Sequence, residues 1–547
     1  METFKVVIFI MAVLIGLSAV ADKSRLPFPI LLVVAGLVIG FIPALPDLAL
    51  EPEVVFLIFM PPLLYDAASK TSLHEMRALI RPISTLAITL VFFTTTVVAV
   101  SAHYLIPGFT WPLAFVLGAI VSPPDAVAAT SITKGLGLNK RVIAILEGES
   151  LLNDASALIA YRYAIAAVAT GNFVLWQAGL QFLLLACGGV LVGVVTGYFF
   201  VFAHKKITNN AIIDTSLTLL SPFVTYLLAE YVHVSGVLAV VASGLIMSWK
   251  SPEIFSYHSR IRTRIVWDTL IYLLNGFIFI LIGLQLPTII KDVGSYTLLS
   301  LLVNGLWISL ATILVRIVWV FLGMYRNRLF KRKKGKANQE QVYDADLWKN
   351  VFIVAWTGTR GIISLATALA IPVLMADGTA FPKRHSIILL AFVVIFVTLV
   401  VQGLTLPLLI RLLKVKPTTI GEDNEEKELS LHIASATLHY IDHEFPHALD
   451  GPLKTQLKRR YETLAEELTK EIKKNKKLLA DDKPIPEKPV SPMLEAQFEV
   501  AKFQRELLIK LYKEGAFSDT VLKKAELERD IKDLTLDMRL PKEEAVL

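Results

Sequence analysis

Again and again along this 547-residue chain an apolar run long enough to cross a bilayer gives way to a short polar loop, and this recurrence restricts the fold more than any other feature. About thirteen such runs lie near residues 4–20, 28–45, 53–69, 82–105, 111–131, 142–169, 174–203, 211–231, 235–249, 266–287, 296–325, 348–376 and 386–413. Inside hydrocarbon no water is available to pair with backbone N–H and C=O groups, so each run must satisfy them internally, as a helix. The expected fold class is an all-α polytopic membrane protein. Its 54% hydrophobic and 18% charged residues, with a mean hydropathy of +0.60, exceed the apolar content of an ordinary soluble domain. The formal charge of +7 does not imply a nucleic-acid partner, because the basic residues sit in short loops and a mixed-charge tail without interleaved aromatics. Membrane lipids are the expected surroundings. The lone Cys187 excludes an intrachain disulfide and a cysteine metal cluster.

Loop charge orients the chain. DKSR, KTSLHEMRALIR, KGLGLNKR, HKKITNN, KSPEIFSYHSRIRTR and RNRLFKRKKGK occupy alternate loops. They hold roughly twenty Lys and Arg against roughly four on the other side, which puts them in the cytoplasm. An odd number of spans then leaves the amino terminus outside and the carboxyl terminus inside, and a cell (inner) membrane is the expected location. The opening apolar stretch, Val6 to Leu17 followed by SAVAD, has the outline of a cleavable signal peptide. Cleavage would put Lys23 and Arg25 on the wrong side, so it reads as a retained first span.

Two spans are interrupted. The fifth contains VSPPDAV, where Pro123 and Pro124 remove backbone donors and crowd the preceding turn, so its helix is expected to break just before Asp125. The twelfth contains AWTGTRGIISL, with Gly358 and Gly361 flanking Arg360. The breaks lie seven spans apart, so inverted six-helix repeats on either side of a seventh span would superpose them as two crossed broken helices. Paired breaks of this kind point to a transporter's central site. Gly36 and Gly40, and Gly189, Gly193 and Gly197, fall at four-residue spacing and predict close helix packing.

Charges inside spans are costly, about 2.5 to 3.5 kcal/mol each at a helix centre on insertion scales, so each needs a partner, water or a cargo. The set comprises Asp66 in span three, Asp125 at the first break, Glu147, Glu149 and Asp154 in span six, Glu230 late in span eight, and Arg360 at the second break. Glu149 and Arg360 are expected to form a buried structural ion pair joining the broken regions. Glu147 either lines the cytoplasmic approach or snorkels. Arg162 and Arg316, nearer span ends, are expected to snorkel. Asp154 stands about 12 Å deeper into its span than Leu146, near the midplane, beside Asn153, whose amide can orient but not neutralise it. Ser150 one turn before it and the carbonyls freed around Pro123 and Pro124 offer neutral oxygens. A carboxylate with neutral oxygens suits a small hard cation, and a buried carboxylate can instead hold a proton. One acid that must carry one or the other couples the two by competition.

PPLLYDAA at Pro61 to Ala68, SPPDAV at Ser122 to Val127, GESLLNDASAL at Gly148 to Leu158, YLLAEYVHVSGVLAVVASG at Tyr226 to Gly244 and TRGIISLA at Thr359 to Ala366 appear in this order. With these motifs, residues 1–415 resemble the monovalent cation/proton antiporters, in the branch of bacterial sodium/proton antiporters and animal sodium/proton exchangers. The resemblance implies thirteen spans, a dimerising scaffold and a mobile core in which the broken helices cross. It implies that Asp154 binds cation and proton, that Asn153 is its neutral neighbour, that Ser150 contributes an oxygen and that Asp125 is the acid at the crossing. It also implies Glu149 and Arg360 as the family's structural pair, and an Asn-Asp order associated with electroneutral exchange. Asp66 matches a third-span acid of varying role; Glu147 has no counterpart. The transported cation is expected to be sodium, with lithium or potassium as alternatives, and no cofactor is expected. The family usually places Thr before the crossing aspartate. Here Pro124 offers only its carbonyl, which could shift ion preference toward potassium.

Residues 416–547 change to alternating Glu and Lys with apolar residues at helical spacing, a helical cytoplasmic tail with a possible regulatory role. HEFPH at His443 to His447 has the outline of a zinc-protease motif, but Pro446 disrupts the turn that would align its histidines. An intramembrane aspartyl protease could use Tyr65-Asp66, yet GLGL at Gly135 to Leu138 lacks the second aspartate. A cation channel would also line a pore with acids, and uncoupled single-channel current would distinguish it.

Overall fold

The computed structural model describes residues 2–24, 28–42, 52–71, 73–125, 140–171, 175–207, 210–291, 295–333, 344–375, 378–413, 419–443 and 452–480. Every regular element among them is helical, apart from one antiparallel bridge between Leu374 and Ala380. Among the described residues seven helices are long and apolar enough to cross a membrane: Ile80–Leu105, Gly179–Lys206, Ala211–Tyr231, Gly236–Ile254, His258–Pro287, Leu298–Gly323 and Arg384–Leu412. Shorter apolar helices at Ile8–Ala19, Phe28–Gly40 and Trp111–Val121 join them. The chain is an all-α, multi-pass membrane protein.

In chain order, α1 (Glu2–Ser24), α2 (Phe28–Gly40) and α3 (Pro52–Lys70) are followed by the short α4 (Leu73–Ala78) and by α5 (Ile80–Leu105), which contains a π-helical stretch at Thr85–Leu90. Then come α6 (Trp111–Val121), α7 (Lys140–Thr170), α8 (Leu175–Ile207), α9 (Ala211–Tyr231) and α10 (Gly236–Ile254). The membrane part closes with α11 (Tyr257–Lys291), α12 (Ser295–Lys333), α13 (Asp344–Trp356), α14 (Ile362–Leu369) and α15 (Arg384–Leu412).

The helices pack as two groups. In one, α2 lies on α11, α8 on α10, and α3 and α9 on both α10 and α11. The contacts are backbone-close: a Cβ at Gly36 would overlap the Ile280 carbonyl, and one at Gly193 the Ala239 carbonyl, so the small-residue spacing does serve helix packing. A buried cluster ties three helix ends of this group, with His204 Nδ1 2.9 Å from Asp214 Oδ1 and Ser259 Oγ donating to Asp214 Oδ2 at 2.7 Å. In the other group α5 packs on α6, α6 on α7, and α12 on α5, α13 and α15. Helix α15 runs through its centre. Its residues Ile387 to Ile395 are all buried, as expected where a helix is apolar all round.

Some boundaries differ from the sequence expectation. The twelfth span, expected to 376, loses its helix at Leu369 because Pro372 restricts Ile371 and removes a donor. The tenth begins at Tyr257 rather than near 266, since the polar SRIRTR turns continue the helix beyond the apolar run. Helix α3 passes unbroken through Pro61 and Pro62.

Residues from Thr418 form a second compact unit. Its helices α16 (Thr419–His443) and α17 (Pro452–Ala480) pair antiparallel, because Lys427 meets Glu471 at 3.3 Å while Asp442, near the other end, meets Lys458 at 2.7 Å. Of the HEFPH stretch only His443 is within the described residues, its ring tilted 52° against that of His439. The GLGL stretch at 135–138 also lies outside them.

Candidate functional site

The two breaks meet. Helix α6 stops at Val121, and residues 122–125 leave it in irregular conformation because the proline pair cannot donate into the next turn. Helix α13 stops at Trp356, and residues 357–361 are irregular before α14 begins. Asp125 donates its N–H to the Thr359 carbonyl at 2.6 Å, and Thr359 Oγ1 donates to the Asp125 carbonyl at 3.1 Å. Each broken strand thus satisfies backbone groups of the other, as buried polar backbone requires.

Side chains complete the accounting. Arg360 Nε donates to the Val121 carbonyl at 3.1 Å, capping the carbonyl end of α6, and its Nη1 donates to Gly358 O. The Arg360 N–H donates to Thr398 Oγ1 at 3.2 Å, on the π-helical stretch of α15. Asn153 Nδ2 donates to the Pro124 carbonyl at 2.8 Å. A Cβ on Gly361 would collide with Asp125 Oδ2, so the carboxylate occupies the place where a cap side chain for α14 would sit, against the positive end of that helix.

A cavity of about 60 Å³ lies at this crossing. Asp125, Asp154, Ser150, Ser364, Pro123 and Pro124 line it together with Phe59, Met60, Leu63, Leu64 and Ala67 of α3. It can hold roughly four to six water-sized occupants. Asp154 is 4% exposed and Asn153 fully buried, so Asp154 faces this cavity and not lipid. Asn153 Oδ1 and Ser364 Oγ, both buried, accept no hydrogen bond from the described residues. Two carboxylates and two hydroxyls line this cavity, a hard-oxygen set suited to an alkali cation. Among the described residues no group of three or more His, Cys, Asp or Glu is arranged to hold a resident metal.

The structural ion pair is not the expected one. Glu149 is held by Arg316, whose Nη1 and Nη2 donate to Oε1 and Oε2 at 2.5 and 2.8 Å, with both residues 1% exposed. Arg316 also donates through Nε and Nη2 to the Val354 carbonyl at 3.2 and 3.1 Å, which anchors α12 and α7 to the end of α13. The expected Glu149–Arg360 pair is therefore corrected to Glu149–Arg316, since Arg360 spends its donors on the carbonyls of the two breaks. The expectation that Arg316 snorkels is corrected too. Its place seven residues, about 10 Å, inside the Gly323 end of the apolar helix Leu298–Gly323 was the signal against a headgroup position. Ser364, one turn into α14, was not singled out from sequence although it lies within TRGIISLA.

The accessory acids lie away from the cavity. Asp66 accepts from Lys70 Nζ at 2.9 Å, and Lys70 also donates to Asp268 at 2.8 Å. Glu147 faces this network, within electrostatic reach of Lys70, Asp66 and Glu75. Glu230 meets Arg162, whose Nη2 donates to Oε1 and Oε2 at 3.1 and 3.2 Å, so that arginine is paired across helices and does not simply snorkel.

A helical bundle in which two interrupted helices exchange backbone hydrogen bonds beside buried carboxylates has the architecture of a secondary transporter. Comparison with known proteins agrees: residues 9–412 match the family model described as sodium/hydrogen exchanger, transmembrane, and the chain belongs to that family. It is 34% identical over 422 residues to a sodium, potassium, lithium and rubidium/H(+) antiporter of Bacillus subtilis, covering 75% of this chain and 62% of that protein. The counterpart in Bacillus pumilus is 34% identical over 420 residues, covering 75% and 61%. The chain thus spans about three fifths of the length of those Bacillus relatives. An uncharacterised Na(+)/H(+) exchanger of Escherichia coli is 32% identical over 426 residues, covering 75% of this chain and 76% of that one. The fold is that of the sodium proton antiporter of Methanocaldococcus jannaschii, with a TM-score of 0.58 at 19% identity over 75% of this chain and 99% of that one.

Proposed function

We propose that the protein exchanges a monovalent cation for a proton across the cell membrane, one for one, by alternating access, with sodium as the cation. Asp154 is the group both ions compete for. Asp125, Asn153, Ser150 and the Pro124 carbonyl complete the binding region, and Ser364 joins them as a further oxygen. The observation that carries this reading is the cavity at the crossing, with Asp154 and Asp125 both on its wall. Two carboxylates sharing so small a space repel one another, and either a cation or a proton relieves that repulsion. Crossing empty and ionised is the costly alternative, and this ties the two fluxes together.

Family membership and the antiporter names of the Bacillus relatives support the exchange. Those names include potassium, and Pro124 removes the hydroxyl that the family usually offers at the crossing, so potassium/proton exchange is the second reading. The amino terminus lies outside and the tail in the cytoplasm, the arrangement that puts the basic loops inside. The chain works as a homodimer, and the tail is a regulatory unit. The test is dequenching of a pH-sensitive dye in proteoliposomes on adding sodium, lithium or potassium, with and without an ionophore that collapses voltage. Cation-dependent dequenching unaffected by the ionophore is expected. Cation current without proton movement would replace the exchanger with a channel.

A further inference from the structure

Arg162 and Glu230 are left unused by the binding site, yet they join the two helix groups. Arg162 is on α7, the helix that carries Asp154, and Glu230 is on α9, which packs on α10 and α11 in the other group. The cavity lies on the seam between these groups, lined by α3 together with α7 and α14. Alternating access needs that seam to open at one end at a time, as one bundle rocks against the other.

The two ends of the seam are built differently. Along α7, Glu147 is seven residues before Asp154 and Arg162 eight after, so the charges stand about 10 and 12 Å to either side of the acid. The Glu147 end adjoins the basic loops, because α7 begins after KGLGLNKR. There the facing cation, Lys70, gives its hydrogen bonds to Asp66 and Asp268 in its own group. At the Arg162 end two side-chain bridges cross the seam: Arg162 grips both oxygens of Glu230, and the neighbouring Tyr163 hydroxyl donates to Gln181 of α8. Helix α9 starts at HKKITNN and α8 ends there, so Glu230 and Gln181 both lie at the end away from the basic loops.

We infer that Arg162 and Glu230 are positioning residues of the exchange cycle: their pair latches the seam at the end remote from the basic loops and must part for Asp154 to reach that side. This rests on the exchanger reading above. A half-exposed ion pair contributes little to folding, at most about 1 kcal/mol, but the same amount shifts a two-state carrier up to about fivefold in population. The latch therefore acts on which side the site faces more than on stability.

The test measures cation-driven proton flux in right-side-out and everted membrane vesicles. R162Q and E230Q are each expected to lower the apparent KM for cation on the outer face and raise it on the inner face, by up to about fivefold, and the swap R162E/E230R is expected to restore both values. Equal shifts on both faces, or a swap that behaves as the sum of two losses, would overturn the latch. A second measurement does not depend on those variants. In a Cys187→Ser background, R162C/E230C bridged by a bifunctional thiol reagent should stop exchange, and reductant should restore it. Undiminished exchange by the bridged carrier would also overturn the latch. Wild-type vesicles with no exchange in either orientation would instead remove the exchanger reading and this inference with it.

Discussion

Glu149→Gln should strongly destabilise the bundle. Glu149 and Arg316 are both 1% exposed and meet through two parallel hydrogen bonds of 2.5 and 2.8 Å. The substitution leaves the Arg316 cation in place, still bonded to the Val354 carbonyl but without its counter-charge. Breaking a buried pair from one side costs about 3 to 5 kcal/mol. A Coulomb energy of about 4 kcal/mol for unit charges near 4 Å at an effective dielectric of 20 has the same size. Arg360→Gln loses instead the guanidinium bonds to Val121 O and Gly358 O, worth about 1.5 to 3 kcal/mol each. Both variants are expected to melt below wild type. The double variant E149Q/R316Q should melt above Glu149→Gln, because removing both charges costs less than stranding one. The midpoints are read from the monodisperse fraction surviving a heating series in detergent. A Glu149→Gln protein melting with wild type, or a double variant losing the sum of both single losses, would refute the pairing.

Asp154→Asn should abolish cation-driven proton movement in vesicles while the protein remains monodisperse; retained exchange would exclude its proposed role. Gly361→Ala should cut transport at least tenfold, because its Cβ would displace the Asp125 carboxylate from the end of α14, and flux with the wild-type rate would contradict that placement. In the tail, the hydrogen bond and charge of Lys458 hold Asp442 below the usual carboxylate range. A depressed acid stabilises above its unfolded pKa and loses that contribution as pH falls through the folded value. Amide protection of the α16–α17 hairpin, corrected for intrinsic exchange, should therefore stay level from pH 7 to about 5 and weaken only below about 4. Asp442→Asn should remove the acid-side change.

Membrane residence and helical class were legible from residue order alone. Hydrocarbon leaves a backbone one solution for long apolar runs, and it makes carboxylates such as Asp154 conspicuous by their cost. The sites of the two breaks were legible for the same reason, since Pro123, Pro124, Gly358 and Gly361 are local obstacles to a helix. What those breaks do to one another was not. Pro61-Pro62 and Pro123-Pro124 are the same dipeptide in apolar surroundings, yet α3 continues through the first pair and α6 ends before the second. At the second, partners arrive from residues far along the chain: Arg360 for the Val121 carbonyl, Asn153 for the Pro124 carbonyl and Thr359 for both backbone groups of Asp125. The choice of Arg316 over Arg360 as the partner of Glu149 belongs with this. Both arginines could neutralise a buried acid, and only the packing of α12 against α7 and α13 brought one guanidinium into bidentate reach while the carbonyls of the breaks claimed the other. Local sequence sets which groups need a partner, and the tertiary fold decides which partner comes within reach.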